Sequence, residues 1–252
     1  MTIIRLAMLG GALLVPVLSG SPNTHPDPVR VATPPAAAVP VAVDTLFAHA
    51  DYLDPIATVL GWPVLRNAPM AGAGREIRVW AEGGMAVTGN VLRLIDSGGS
   101  VKGELAVYWS LDPSEKGAYG GGLDAQMKAR FGCAKAASDT AMIGGTIPLL
   151  VGACVARFKS EPDWGAVLKE LEAQQLWTLD ESSEDARVME TEAEPGVVVE
   201  LVQNSTYRTY HYPNVRSQSS ANAAHAASLL GVVERLSKQV DRGSGPPGTP
   251  IP

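Results

Sequence analysis

Apolar and polar residues alternate in several short runs of the chain, and a period of two is typical of strands that bury one face. In the run from Arg75 to Glu82, apolar residues occupy every second position and charged residues most of the others, with Trp80 as the exception on the polar face. The predicted strands are Arg75 to Glu82, Val91 to Asp96, Glu104 to Trp109, Ala153 to Phe158, Val197 to Gln203 and Thr206 to Tyr212. Ser97 to Ser100 separate the second strand from the third, and Asn204 with Ser205 separate the last two, so we expect two hairpins.

Helical spacing appears in two other stretches. Apolar residues recur at i, i+3, i+4 and i+7 from Trp164 to Leu171, which predicts a helix that begins near Asp163. A second apolar stripe runs from Ala226 to Val240 and is preceded by the candidate caps Ser219 and Ser220. We expect this second helix to dock on the sheet.

Two shorter helices are predicted around Thr45 to Tyr52 and Leu123 to Phe131. The chain therefore contains about four predicted helices and six predicted strands in mixed order. Strands joined by hairpins pair antiparallel, so the order indicates an α+β fold in which the helices pack on a mostly antiparallel sheet.

The ends of the chain differ in composition from its middle. Arg5 precedes an apolar run from Leu6 to Leu18, and small residues follow at Ser19 and Gly20, which is the pattern of a secretory signal peptide over residues 1–20. An uncleaved membrane anchor is the weaker alternative, because the run is shorter than about 20 residues and contains a proline. After cleavage we expect no stable membrane span and a periplasmic or secreted location.

Three further segments follow the predicted signal peptide. Residues 21–42 are rich in proline and alanine and are predicted to be a disordered tether. Residues 43–240 are numerous enough to form a single α+β domain with its own core. Residues 241–252 are dominated by glycine and proline and are predicted to be a disordered tail.

Net charge argues against one class of partner. The formal charge is -6, and nucleic-acid binding needs clustered Lys and Arg, so we expect no nucleic-acid partner. Acidic residues concentrate between Asp180 and Glu194. A solvated loop is the favoured interpretation, and a divalent-cation site is the alternative, although the spacing lacks the pattern of a known calcium loop.

The chain contains two cysteines, Cys133 and Cys154. In an oxidising compartment such a pair is more often a structural disulfide than a redox site. Metal binding would need further ligands, and neither cysteine is flanked by a histidine or another cysteine. We therefore predict one disulfide, no metal site and no cofactor.

Several segments together resemble a group of secreted bacterial α+β proteins that have no assigned activity. The resemblance lies in REIRVW at Arg75 to Trp80, GELAVYW at Gly103 to Trp109, LWTL at Leu176 to Leu179 and VELVQNSTYRTYHYPN at Val199 to Asn214, followed by an alanine-rich helix. The resemblance implies export and an α+β fold. It implies no catalytic residues.

The last predicted strand carries the candidate ligand-binding residues. Arg208, Tyr210 and Tyr212 share one face, and His211 lies on the other with Tyr207. Tyrosines beside an arginine can stack on a ring or hold a small anionic ligand. Packing without a ligand is the favoured alternative, because aromatic residues are common in strands.

An apolar run from Ala141 to Gly152 lies between the two cysteines. Its candidate interaction residues are Ile143, Ile147, Leu149 and Leu150. Buried, the run is a core strand with turns, which we favour. Exposed, it is a hydrophobic interaction loop held by the disulfide, because large apolar patches usually mark interaction sites.

Catalytic motifs are missing from the sequence. A serine-hydrolase elbow, a phosphate-binding glycine loop and a zinc-protease motif are all absent, so no catalytic residue is assigned. The favoured hypothesis is a non-catalytic exported module that binds an envelope protein or other envelope component. The alternatives are a secreted enzyme, for example a hydrolase that uses His211, and a purely structural envelope protein.

Overall fold

The computed structural model describes residues 53–67, 74–81, 88–111, 131, 133–143, 147–179 and 196–241. All of them belong to one compact unit, Ala42–Pro252. The strands are β1 (Arg75–Ala81), β2 (Thr88–Asp96), β3 (Val101–Leu111), β4 (Cys133–Ile143), β5 (Ile147–Ala156), β6 (Val197–Gln203) and β7 (Thr206–Tyr212). The helices are α1 (53–60), α2 (Trp164–Glu172) and α3 (Ala221–Lys238).

The seven strands form one sheet in the order β4-β5-β3-β2-β1-β6-β7. Every neighbouring pair is antiparallel. The predicted α+β class with an antiparallel sheet is therefore confirmed. Strand β4 was not predicted, and it forms a hairpin with β5 at one end of the sheet.

The described residues contain three helices, so the prediction of about four is wrong for this part of the chain. The helix predicted at Thr45 to Tyr52 lies outside the described residues. Of the helix predicted at Leu123 to Phe131, the structure describes only Phe131, and this residue is helical. The additional helix is α1. Asp54 and Pro55 lie in its first described turn, where a proline is tolerated because its missing N–H would have no helical partner.

Both α2 and α3 begin at a side-chain cap, and Ser220 is one of the two candidate caps that the sequence indicated for α3. The Asp163 carboxylate accepts a hydrogen bond from the Ala166 backbone N–H at 3.0 Å, and α2 begins at the next residue. The Ser220 hydroxyl oxygen accepts one from the Ala223 N–H at 3.1 Å in the same way. Each cap satisfies a backbone donor that the first helical turn leaves unpaired.

Helices cover both faces of the sheet. One face packs against α2 and α3 in a large apolar core that includes Leu92, Leu171 and Leu229. The other face packs against α1 and the segment that follows it, and its core includes Ile56 and Trp80. The alternation of apolar and charged residues in β1 therefore does not separate a buried face from a solvent-exposed one, because both faces of the strand are buried.

None of the three described helices is long and apolar enough to cross a bilayer.

Candidate functional site

The predicted disulfide is present and joins the two strands of the edge hairpin. Cys133 in β4 is bonded to Cys154 in β5, with their Cα atoms 5.4 Å apart. Trp109 from β3 packs against Cys154, and Phe131 and Cys133 complete this small cluster. The disulfide therefore lies beside an aromatic pair at one side of the sheet.

Trp109 is accommodated by a glycine on the neighbouring strand. Gly152 is its direct cross-strand partner, and a Cβ atom at that position would overlap the indole ring. The side chain of Trp109 is fully buried. Its Nε1–H has no hydrogen-bond partner within the part of the chain that the structure describes.

An open groove of about 170 Å³ lies next to this cluster, where the end of α3 approaches strands β2 and β3. The residues that line it are Thr88, Gly89, Asn90, Val107, Phe131, Ser237 and Val240. Thr88 and Asn90 point to the face of the sheet that α2 and α3 cover, as Leu92 does, because alternate residues of a strand share a face. The groove is thus formed by β2 and β3, by the last turns of α3 and by the aromatic residue that precedes the disulfide.

The lining combines polar and apolar side chains and holds no ionisable residue among those described. Ser237 donates its hydroxyl to the Glu234 carbonyl at 2.8 Å and keeps an accepting oxygen. Thr88 and Asn90 are half-buried. Their side chains make no hydrogen bond to any residue that the structure describes. Val107, Phe131 and Val240 supply the apolar walls.

The opposite face of the sheet carries a buried network of charges. The Glu76 carboxylate accepts hydrogen bonds from Arg78, at 2.7 and 2.9 Å, and from Arg93, at 2.7 and 3.2 Å. Glu76 and Arg78 are each about 1% exposed. Arg93 also donates a hydrogen bond to Glu104, whose side chain is 44% exposed, at 3.4 Å. Two guanidinium groups thus share one carboxylate inside the protein.

Glu200 extends the network along β6. Its Oε2 accepts a hydrogen bond from the Trp80 indole N–H at 2.8 Å, and its Oε1 accepts one from the Tyr207 hydroxyl at 3.1 Å. Burial raises the pKa of the Glu200 carboxyl, and the positive charge of Arg78 opposes that rise. Burial also raises the pKa of Tyr207, and the nearby Glu200 adds to the rise. Trp80, the exception in the sequence pattern, is therefore a hydrogen-bond donor to a buried carboxyl.

The segment after α1 closes the network. The guanidinium groups of Arg78 and Arg93 lie over the Trp62 ring, with their central carbons 5.4 and 5.1 Å from its centroid. Arg78 also donates to the Pro63 carbonyl at 2.6 Å. Glu200 is only 4% exposed, so its carboxyl is not open to a substrate in this structure. The arrangement attaches residues 53–67 to the sheet.

The candidate ligand-binding residues of β7 are divided between the two faces, as their alternation predicted. Tyr210 and Tyr212 are buried in the core on the face that α2 and α3 cover. Tyr210 donates its hydroxyl to the Leu176 carbonyl at 2.7 Å, and Arg208 donates to the carbonyls of Trp177 and of Leu179. Their polar groups thus hold residues 173–179, the segment after α2, against the sheet edge.

His211 lies on the other face of β7, because it alternates with Tyr210 and Tyr212. It is half-buried and pairs in register with Val198 of β6. The structure therefore does not bring His211 together with Arg208, Tyr210 and Tyr212. It places His211 on the same sheet face as Tyr207 and Glu200.

The candidate interaction loop forms the end of the edge hairpin. Ile143 is the last residue of β4 and pairs with Ile147, the first residue of β5. Leu149 and Leu150 follow in β5, and Leu150 is half-buried. The apolar run is therefore largely strand. The acidic segment from Asp180 to Glu194 lies outside the described residues, and no group of three candidate metal ligands occurs among those described.

Sequence reasoning did not identify the groove. Its polar residues Thr88, Asn90 and Ser237 come from distant parts of the chain and belong to no motif. They are neutral side chains of ordinary type, so only the packing of α3 on the sheet brings them together.

Comparisons of this chain with protein families, with curated proteins and with solved structures find no match.

Proposed function

We propose that this chain is an exported, non-catalytic binding module that holds a small uncharged ligand in the groove between β2, β3 and the end of α3. The observation that carries the proposal is the pair Thr88 and Asn90, which are half-buried and uncommitted among the described residues. Buried polar groups are nearly always hydrogen-bonded, so half-buried groups that have no partner among the described residues are suited to a ligand.

The charge of the lining supports a neutral ligand. An ionic group brought into a groove without a counter-charge loses hydration and gains no partner, and the described lining contains no ionisable side chain. A carboxamide and two hydroxyl oxygens can instead satisfy hydroxyl or amide groups. The Phe131 ring and two valines can contact the carbon atoms of the same ligand.

The size of the groove supports a ring of modest dimensions. A volume of about 170 Å³ is below the roughly 300–1,000 Å³ of typical small-molecule pockets. One sugar ring fits this chemistry, because its hydroxyls lie at the edge and its C–H groups on the faces. We therefore propose a neutral saccharide unit of an envelope polymer as the ligand, with the rest of the polymer outside the groove.

The position of the groove supports binding without large rearrangement. Its floor consists of two paired strands, and Phe131 packs in the same cluster as the disulfide. A site held on rigid elements loses less conformational entropy when it binds. The disulfide also agrees with the proposed export, because such bonds persist in oxidising compartments.

The test is a titration of the oxidised protein with neutral mono- and oligosaccharides and with charged sugars as a comparison, measured by thermal unfolding and by calorimetry. We expect neutral sugars to raise the melting temperature by mass action. Thr88→Val and Asn90→Ala should each weaken binding about fivefold, the equivalent of one hydrogen bond of about 1 kcal/mol.

Asn222→Ala is the matched control, because Asn222 lies in the first turn of α3 and the groove lies at its last turns. This variant should bind like the wild type. If both groove variants keep wild-type affinity, the groove is not the site. If only charged ligands stabilise the protein, the proposed ligand class is wrong.

A further inference from the structure

Strand β4 ends the sheet on one side. In the described part of the chain it pairs with β5, and no other strand pairs with its outer edge. An edge strand presents a row of backbone N–H and C=O groups to any extended chain that approaches it. The ladder between β4 and β5 has a β-bulge between Cys133 and Lys135. The nine regularly paired residues that follow, Lys135–Ile143, are still long for an edge, since most strands contain about 5–6 residues.

The sequence of β4 offers few obstacles to pairing. It reads CAKAASDTAMI and contains two charged residues, Lys135 and Asp139, on either side of Ala137. Proline and large β-branched residues are absent from its middle. A lone lysine on an edge strand usually prevents pairing, because a second copy would place like charges together. In β4, however, Asp139 follows four positions after Lys135, so a second copy can place opposite charges together.

We propose that β4 binds β4 of a second copy of this chain, antiparallel, about a two-fold axis through Ala137. In that register Lys135 of each copy lies directly opposite Asp139 of the other. Directly opposed residues share a sheet face, so each pair brings opposite charges together. The two seven-stranded sheets then form one continuous sheet across the axis.

The charges select this register over its neighbours. If the axis is moved to Ser138, Lys135 lies opposite Ala141 and Asp139 opposite Ala137. If it is moved to Ala136, both charges again lie opposite neutral residues. Only the register about Ala137 pairs the two charged positions of the strand. Because the contact is self-complementary, it closes at two copies and does not continue into a filament.

The pairing does not depend on the groove. The groove is lined by β2, β3, α3 and Phe131, whereas the contact uses the outer edge of β4. Loss of ligand binding and loss of self-association can therefore be observed separately.

The test measures the molar mass of the full exported chain, oxidised, by sedimentation over a range of concentrations. We expect a concentration-dependent dimer for the wild type. With Lys135→Asp both positions are acidic, and with Asp139→Lys both are basic. Each variant alone therefore places like charges opposite each other, and its dimer dissociation constant should rise about tenfold or more. Circular dichroism and melting temperature establish that each variant is folded.

Mixing provides the decisive experiment. In an equimolar mixture, the two acidic positions of Lys135→Asp meet the two basic positions of Asp139→Lys in the proposed register, so a heterodimer should form. The double variant with both substitutions should dimerise like the wild type. Lys169→Asp, an exposed substitution on α2, is the charge-matched control and should leave the dimer intact.

A wild type that stays monomeric at every concentration overturns the proposal. So does a dimer that both single variants retain. Variants that weaken the dimer without restoration on mixing place the contact in another register and also overturn the proposed geometry.

Discussion

Arg78 is nearly inaccessible to water, yet its guanidinium group contacts carboxylates, a backbone carbonyl and an aromatic ring. It bonds Glu76 and the Pro63 carbonyl, lies 3.8 Å from Glu200 and stacks on Trp62. A buried ion pair loses hydration energy when it forms, so its net contribution to stability is small. Removal of one member is different, because it leaves the other charges buried without compensation. The network is therefore a requirement of the fold.

The first prediction concerns that requirement. Arg78→Met removes the charge and keeps most of the side-chain volume, and we expect a loss of about 3–5 kcal/mol in the free energy of unfolding. Arg216→Met is the control, because Arg216 forms an exposed ion pair with Glu234 and such pairs contribute at most about 1 kcal/mol. Urea unfolding of both variants measures the difference. Equal losses would contradict a buried network.

The second prediction concerns pH and Glu200. Its pKa is raised in the folded protein above the ordinary value of 4.5. The folded state therefore favours the protonated form, and this contribution is complete below pH 4.5 and is lost as the pH rises through the folded pKa. Glu200→Gln imitates the protonated side chain, so the stability of the variant relative to the wild type should increase over this interval.

Thermal unfolding as a function of pH measures this effect. Glu234→Gln, which removes an exposed carboxylate, should keep the wild-type profile. A Glu200→Gln profile parallel to that of the wild type would show that Glu200 does not titrate in this interval.

At the scale of elements, the outcome of sequence analysis depended on how each segment is stabilised. β6 and β7 were predicted to the residue, because they have strong strand formers and a turn between them. β4 was not predicted, because its small residues have low strand propensity and its pairing with β5 supplies the stability. The covering role of α1 and Trp62 was also not predicted, because a local pattern does not indicate which surface it meets.

The third prediction compares two glycines in different elements. Gly152→Ala in β5 forces a Cβ atom into Trp109, and we expect a loss of about 1–3 kcal/mol from overpacking. Gly231→Ala lies within α3, where a Cβ atom meets nothing within 4 Å. It should stabilise the protein by about 1 kcal/mol, because alanine favours a helix over glycine. Urea unfolding should show changes of opposite sign in the free energy of unfolding. Changes of the same sign would contradict either the tight contact at Gly152 or the open space at Gly231.

At the scale of the whole molecule, the two edges of the sheet are held by different means. Beside β4 the disulfide links the edge strand to its neighbour. Beside β7 the side chains of Arg208 and Tyr210 bind the backbone of residues 173–179. The sequence predicted the disulfide from its two cysteines. It did not distinguish a ligand contact from this internal one, because the same side chains serve both.

The fourth prediction concerns the covalent edge. Cys133 and Cys154 are 21 positions apart, and closure of a loop of this size stabilises a protein by about 3 kcal/mol in the chain-entropy model. The double variant Cys133→Ala with Cys154→Ala should lose about that amount in urea unfolding. The wild type should resist alkylation in denaturant until it is reduced, and immediate labelling would exclude the bond.

Strand β1 has paired neighbours on both sides, β2 and β6, and is covered on both faces. Its amide protons can exchange with deuterium only when the whole sheet opens, so their exchange rates report the global free energy of unfolding. Amides of β7 are released by a smaller opening, in which residues 173–179 detach. Protection should therefore decrease from β1 towards β7, while on the other side the disulfide restricts how far the edge hairpin can separate.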